Sequence, residues 1–421
     1  MKFKAQDKQN QRIENITANH LVVGVDIAQE THVARAVNFR GIALGHPLEF
    51  SNDEIGFKSL KRWIQDLHTS HRLTTTIVGM EPTGHYWFSL ARWLDEMQIE
   101  TVLVNPHLVK KNKENRDNTR SKSDKKDALV IADMVKNGYY SPVRSTAEAF
   151  EELRVLIANR DTIVKRLVSA VNQIIRWVDI VFPELRQVFK DVTCISSLAT
   201  LRLFPLPEDV KTMKVTDIIK GWKSHVKRHA GVRKAQLLID VAKRTVGPKK
   251  ALRAYRLHLE QLLEEHDLAQ KQLEKVEIEI ESVLDRIPYA KKMLAIKGMS
   301  TISIAGILGE SGDLSAFSHG NSLLRHAGLN LSEASSGKWK GQIALSKRGR
   351  PRLRRFIFIT TMSLIINNQE FKNMHHQNVY DKKLKKMKSV MKLCGKLARI
   401  LVGMARSGEP YNCHKILPLA A

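Results

Sequence analysis

A chain of 421 residues with a formal net charge of +26 is too long for one ordinary core and too basic for solubility to explain, so two or three domains and a polyanionic partner are expected. Nucleic acid is favoured over an anionic membrane because no basic amphipathic anchor stands out and no apolar run approaches the roughly eighteen residues of a span. Three scattered cysteines, Cys194, Cys394 and Cys413, offer neither a disulfide framework nor zinc spacing, and with no signal-peptide core at the N-terminus they point to a cytoplasmic chain.

The first third reads as α/β after an N-terminal extension over residues 1–20. Strands are predicted over 21–28 (LVVGVDIA), 31–39 (THVARAVNF) and 41–50 (GIALGHPLEF), the first two joined as a hairpin across a two-residue gap. A helix over 52–68 follows, with Ile55, Leu60, Trp63, Ile64 and Leu67 on one face. Then come a strand (74–81), a helix (85–97), a strand (99–106), a polar basic loop (110–123) and a helix opening at SDKKDALVIADM. The order β-β-β-α-β-α-β-α places the first strand at the centre with the fourth beside it, in the manner of RNase H-like folds, and bounds this domain at 21–145.

The middle, 146–288, changes character. Apolar residues from Phe150 to Val181 alternate steps of three and four with only Arg160 interrupting, and a second such run covers 251–287 until Pro288 ends it. Both are read as long coiled-coil-like helices, paired with each other or with those of another subunit. Between them, about 186–250, lies a basic helical insert. The last third, 289–421, reads as helical with loops: a helix, a glycine turn and an apolar helix in LAIKGMSTISIAGILGESG, then a long polar loop, an apolar helix and a basic one.

Four acids stand out. Asp26 lies inside an apolar strand, where a carboxylate is costly unless paired or metal-bound. Glu81 ends another strand before Pro82 and Gly84, and Asp124 and Asp127 lie one turn apart on a helical face. Each alone has an ordinary reading: a satisfied buried acid, a turn residue, a helix cap. Together at one sheet end they would repel one another unless divalent cations intervened, and hard oxygen ligands suit Mg²⁺ or Mn²⁺. Cap and ligand are compatible for the Asp124–Asp127 turn.

At this point the chain resembles the DEDD transposases and site-specific invertases of the Piv/MooV type. VGVDIAQETHVARAV, GMEPTGHYW and NP followed by KSDKKDALVIADM match the acidic motifs, and the segment from LAIKGMS to RGRPRLRR matches the C-terminal transposase domain. The resemblance implies that Asp26, Glu81, Asp124 and Asp127 are the metal-binding tetrad of a RuvC-like domain and that Ser336 in SSGKWKG is a nucleophile. It further implies target and donor DNA, a structured bridge RNA as guide, and a dimer or tetramer with composite sites. Ser300, where a second glycine is common, is one departure.

Ser336 has no neighbour in sequence to activate it, and without the resemblance SSG is ordinary loop composition, with Ser335 an equal candidate. Between Gly337 and Phe356 stand Lys338, Lys340, Lys347, Arg348, Arg350, Arg352, Arg354 and Arg355 with no acid, a block better explained by phosphates than by a solvated face. Trp339 between two lysines is suited to stacking on a base or to packing. Gly298 is suited to a phosphate approach or to a plain helix–helix turn, and the basic run Lys382–Arg399 to nucleic acid or to solvent. The competing functions are a junction-type nuclease using water and a non-catalytic nucleic-acid-binding protein.

Overall fold

The computed structural model describes residues 2–82, 84–116, 124–143, 147–225, 231–332, 335–336, 339–341 and 343–412. The chain forms two compact units, Met1–Ser145 and Thr146–Ala421.

In the first unit, helix α1 (Lys2–Glu14) precedes strands β1 (His20–Asp26), β2 (Thr31–Val37) and β3 (Ala43–Ser51). Next come α2 (Glu54–His71), β4 (Thr75–Met80), α3 (Trp87–Glu96), β5 (Glu100–Val104), α4 (Pro106–Arg116), α5 (Asp124–Lys136) and β6 (Tyr140–Pro142). The sheet order is β3-β2-β1-β4-β5-β6, so the first strand is central with the fourth beside it, as the element order predicts. β1 pairs antiparallel with β2 and parallel with β4. Three details differ from the sequence reading. The expected loop at 110–123 is helical as far as Arg116, a short antiparallel β6 closes one edge, and a four-residue link rather than two joins β1 to β2. The helix is explained by Asn105, whose side chain accepts the His107 N–H, and by Pro106 at the first helical position.

Strand alternation sorts the two sheet faces. Leu21, Val23 and Val25 turn toward Leu60, Ile64 and Leu67 of α2 and Leu90 and Leu94 of α3. Val22 and Ile77 turn the other way, toward Ile131, Ala132 and Val135 of α5. Asp53 caps α2 by accepting the Gly56 N–H at 2.8 Å.

The second unit opens with α6 (Glu148–Val181), continues through α7 (Leu185–Val188), α8 (Ile195–Leu203), α9 (Pro207–Val210), α10 (Val215–His225) and α11 (Val232–Lys243), and returns along α12 (Leu252–Asp285). The two long helices pair within the chain as an antiparallel hairpin. Glu152 meets Arg286 at one end, Arg160 meets Glu277 at 2.6 Å, Arg166 reaches Gln272 at 2.7 Å, and the Trp177 indole donates to Tyr255 O at 2.9 Å near the other. Arg160, the one break in the apolar spacing, is thus among the residues that cross to the partner helix. The basic insert folds as short helices around Trp222, fully buried with its indole donating to Thr200 Oγ1 at 2.8 Å.

The remainder comprises α13 (Ala290–Leu294), α14 (Thr301–Ser311), α15 (Gly320–Ala327), strands β7 (Leu331–Ser332), β8 (Ser335–Ser336), β9 (Trp339–Lys340) and β10 (Ala344–Leu345), and helices α16 (Pro351–Asn367), α17 (Gln369–His376) and α18 (Lys386–Ser407). One core joins the lower part of the hairpin (Leu153, Ile157, Ile280, Leu284) to α14, α16 and α18. The predicted long loop is therefore partly a ribbon, β7 pairing with β10 and β8 with β9. Ser300 caps α14 by accepting the Ser303 N–H, which a glycine could not do. Gly298, at φ +99°, packs against α16, and its carbonyl accepts the Ser363 hydroxyl at 2.7 Å, so it serves a helix–helix turn. Among the described residues no helix is long and apolar enough to cross a membrane.

Candidate functional site

The acidic site is built by the close approach of α5 to the sheet. A Cβ on Gly24 of β1 would lie 2.1 Å from Ala128 O and 2.4 Å from Ala132 N, and one on Gly79 of β4 would lie 2.3 Å from a Val135 methyl. Gly24 thus lets the helix backbone rest on β1, and Gly79 leaves room on β4 for the Val135 side chain. Two residues beyond Gly24, on the same face, is Asp26. One residue before Ala128, in the first turn of α5, is Asp127, buried at 5% exposure. Asp124 is the first residue of that helix and exposed, so it sits in the first turn rather than at the cap, where a negative charge still meets the positive helix end.

Asp26, Asp124 and Asp127 each present a ligand oxygen, and these oxygens lie within 4.8 Å of one another. Glu81 is not in this trio. It follows Met80, which pairs with Val25, and so stands at the same end of the neighbouring parallel strand, half-buried. Three carboxylates at that separation, one of them withdrawn from water, match the all-oxygen donor set of a hard divalent cation.

In the second unit, Ser336 lies on β8, its backbone in register with Trp339, and Ser335 in register with Lys340. Lys338 falls outside the described residues, and the side chains of Ser336, Trp339 and Lys340 are likewise not described. Arg350 N donates to His326 O and Lys347 N to Gly328 O, while the Arg354 guanidinium bonds both Ala327 O (2.9 Å) and Lys347 O (3.2 Å) and so ties the two ends of this ribbon together.

Three more arginines of the predicted basic block meet acids of their own unit. Arg355 grips Asp161 of α6 at 2.7 and 3.0 Å, Arg352 lies 3.8 Å from Asp161 and 4.0 Å from Glu310, and Arg350 lies 3.5 Å from Glu310. Glu310 is buried at 8% exposure near the C-terminal end of α14, where the helix dipole disfavours a carboxylate, so the arginines compensate it. Burial, with Arg350 nearby, also lowers the pKa of Arg154, whose Nε donates to Gly309 O. Lys347 and Arg348 are exposed. The block is therefore not uniformly a face offered to phosphates. The sequence reading missed Asp161 and Glu310 as its partners because they lie on helices far away in the chain, and no local pattern marks them.

A family model described as Transposase, of the DEDD type named for IS110, matches residues 23–183, a span holding all four acids. A second, described as Transposase IS116/IS110/IS902 family, matches residues 290–376, a span holding Ser336 and the basic block. No curated protein matches the chain. A sheet end bearing convergent acids, in a chain this basic, belongs with DNA-processing enzymes. The two matches make the assignment specific, and the chain belongs to the IS110 family of DEDD transposases.

Proposed function

We propose that this protein is the recombinase of an insertion sequence, cutting and rejoining DNA through a RuvC-like, RNase H-type acidic site and a serine nucleophile. The convergence of Asp26, Asp124 and Asp127 within 4.8 Å carries this reading, supported by the two family matches. Glu81, at the end of the adjacent strand, is proposed as the fourth ligand. These residues would hold Mg²⁺ or Mn²⁺, and the ion, when bound, supplies Lewis-acid polarisation of a phosphodiester and neutralises the acids.

The Ser336 hydroxyl attacks the scissile phosphorus, so an Oγ–P bond forms as the P–O bond of the DNA strand breaks and the departing oxygen takes up a proton. The phosphoserine keeps the ester, and attack by a DNA hydroxyl restores Ser336 and joins the new strand without ATP. Lys338, Lys340, Lys347 and Arg348 are proposed as phosphate contacts, with Arg350, Arg352, Arg354 and Arg355 framing them. A guide RNA and a homo-oligomer, dimer or tetramer, are proposed on the resemblance.

The test is a nicked suicide substrate that traps covalent protein–DNA adducts. Adduct should form with the wild type and with Ser335→Ala, and vanish with Ser336→Ala and, under Mg²⁺, with Asp26→Ala. Adduct from Ser336→Ala would overturn the nucleophile, and free ends without adduct would favour hydrolysis by water. Sequencing RNA that copurifies with the protein tests the guide: a single species is expected, and none would refute it.

A further inference from the structure

Asp26 is the last residue of β1, and the four residues after it, Ile27–Glu30, turn the chain into β2. Such a link would fray if its backbone groups faced only water, and the carboxylate would move with it. Instead it is gripped from two sides. His32 of β2 is fully buried, stacked on Phe57 (centroids 6.4 Å, planes 10° apart) and edge-on to Phe50 at 5.3 Å. Its Nδ1 accepts the Ala28 N–H at 3.2 Å. Asn52, just after β3, donates from Nδ2 to Gln29 O at 3.2 Å and from its backbone N–H to Glu30 O at 2.9 Å. Tyr86, from the segment after Glu81, donates to the Gln29 side chain at 3.4 Å.

A histidine enclosed by two phenylalanines is an expensive choice if packing alone is needed, since leucine or phenylalanine would fill the space with no polar atom to satisfy. Because Nδ1 accepts, the neutral ring carries its proton on Nε2. Burial lowers the histidine's pKa, and the Asn52 side chain beside it acts the other way. The ring's acceptor nitrogen is therefore spent on the link.

We infer that His32 and Asn52 are positioning residues that fix the link Ile27–Glu30 and, through it, the carboxylate of Asp26. The inference rests on the proposed metal site and concerns how the site is held.

The test is Mn²⁺ titration of the purified full-length protein by electron paramagnetic resonance, alongside thermal melting. Asp26→Asn should abolish the tight site. His32→Leu and Asn52→Ala should each weaken it by about tenfold to a hundredfold, the range seen when outer-shell partners of a metal site are removed. His32→Asn, whose Oδ1 takes the place of Nδ1, should recover most of the affinity. Phe57→Leu, which disturbs the same packing without touching the link, should lower the melting temperature and leave Mn²⁺ affinity unchanged. The inference fails if His32→Leu and Asn52→Ala bind like the wild type, or if Phe57→Leu weakens binding as much as they do. An unchanged Asp26→Asn would instead sink the metal site itself and take the inference with it.

Discussion

Replacing Gly24 with alanine adds one methyl group at the place where α5 touches β1. That Cβ would stand 2.1 Å from Ala128 O, 2.4 Å from Ala132 N and 3.0 Å from Ala132 Cα, all backbone atoms that no rotamer change can move aside. Ordinary van der Waals contact needs about 3.4 Å, so the helix must retreat by roughly 1 Å. Overpacking of this kind costs about 1–3 kcal/mol, which for a unit of this size lowers the melting temperature by about 4–12 °C. Asp127 precedes Ala128 and travels with the helix, whereas Asp26 stays on the strand. Since metal–ligand distances tolerate only about 0.2 Å, Mn²⁺ affinity should fall by at least about tenfold. Differential scanning calorimetry and Mn²⁺ titration read the two effects separately. A Gly24→Ala protein that melts and binds Mn²⁺ like the wild type would refute the reasoning that glycine contact sets the acidic geometry.

Gly403→Ala is the opposite case: Gly403 is an exposed position of α18 and a Cβ there meets nothing within 4 Å, so the change should stabilise by about 0.4–1 kcal/mol, read as a raised melting temperature. Cys394 is buried and burial pushes its thiol up to about 11, so it should resist iodoacetamide at pH 8 until the protein unfolds; rapid modification of the native protein would contradict that placement. Burial raises the pKa of Glu184, but hydrogen bonds from Val246 N (2.9 Å) and Thr245 Oγ1 (2.7 Å) outweigh it, and the net shift is downward. A depressed carboxylate contributes stability that is present above its unfolded pKa and lost as pH falls through the folded one. Glu184→Gln should therefore destabilise at neutral pH and narrow the gap from wild type on acidification below about pH 4, measured by urea melts across that range.

Much of the first unit was legible because strands and amphipathic helices announce themselves by period. Asp26 stood out as a charge in an apolar strand, and Asp124 with Asp127 as a pair on a helical face, so the sequence singled out acids that the fold brings together. It could not separate Glu81, at the same sheet end, from the three whose oxygens converge, because that depends on where a loop aims a side chain after its strand has ended. It also read the arginines before Phe356 as one face. Arg350, Arg352 and Arg355 proved to be shared with Glu310 and Asp161, and Arg354 with two carbonyls, contacts set by chain crossings that local pattern does not encode.

The amino-acid order alone determined the strands, the long helices, the acids worth watching and the pull toward a polyanion, since these depend on periodicity, burial cost and net charge. Tertiary structure alone decided that α5 lies close enough on Gly24 and Gly79 to bring Asp127 to Asp26, that the long helices pair within the chain, and that His32 is enclosed beside the link after Asp26. Those are distances between elements remote in sequence, fixed by which surfaces fit when the whole chain packs.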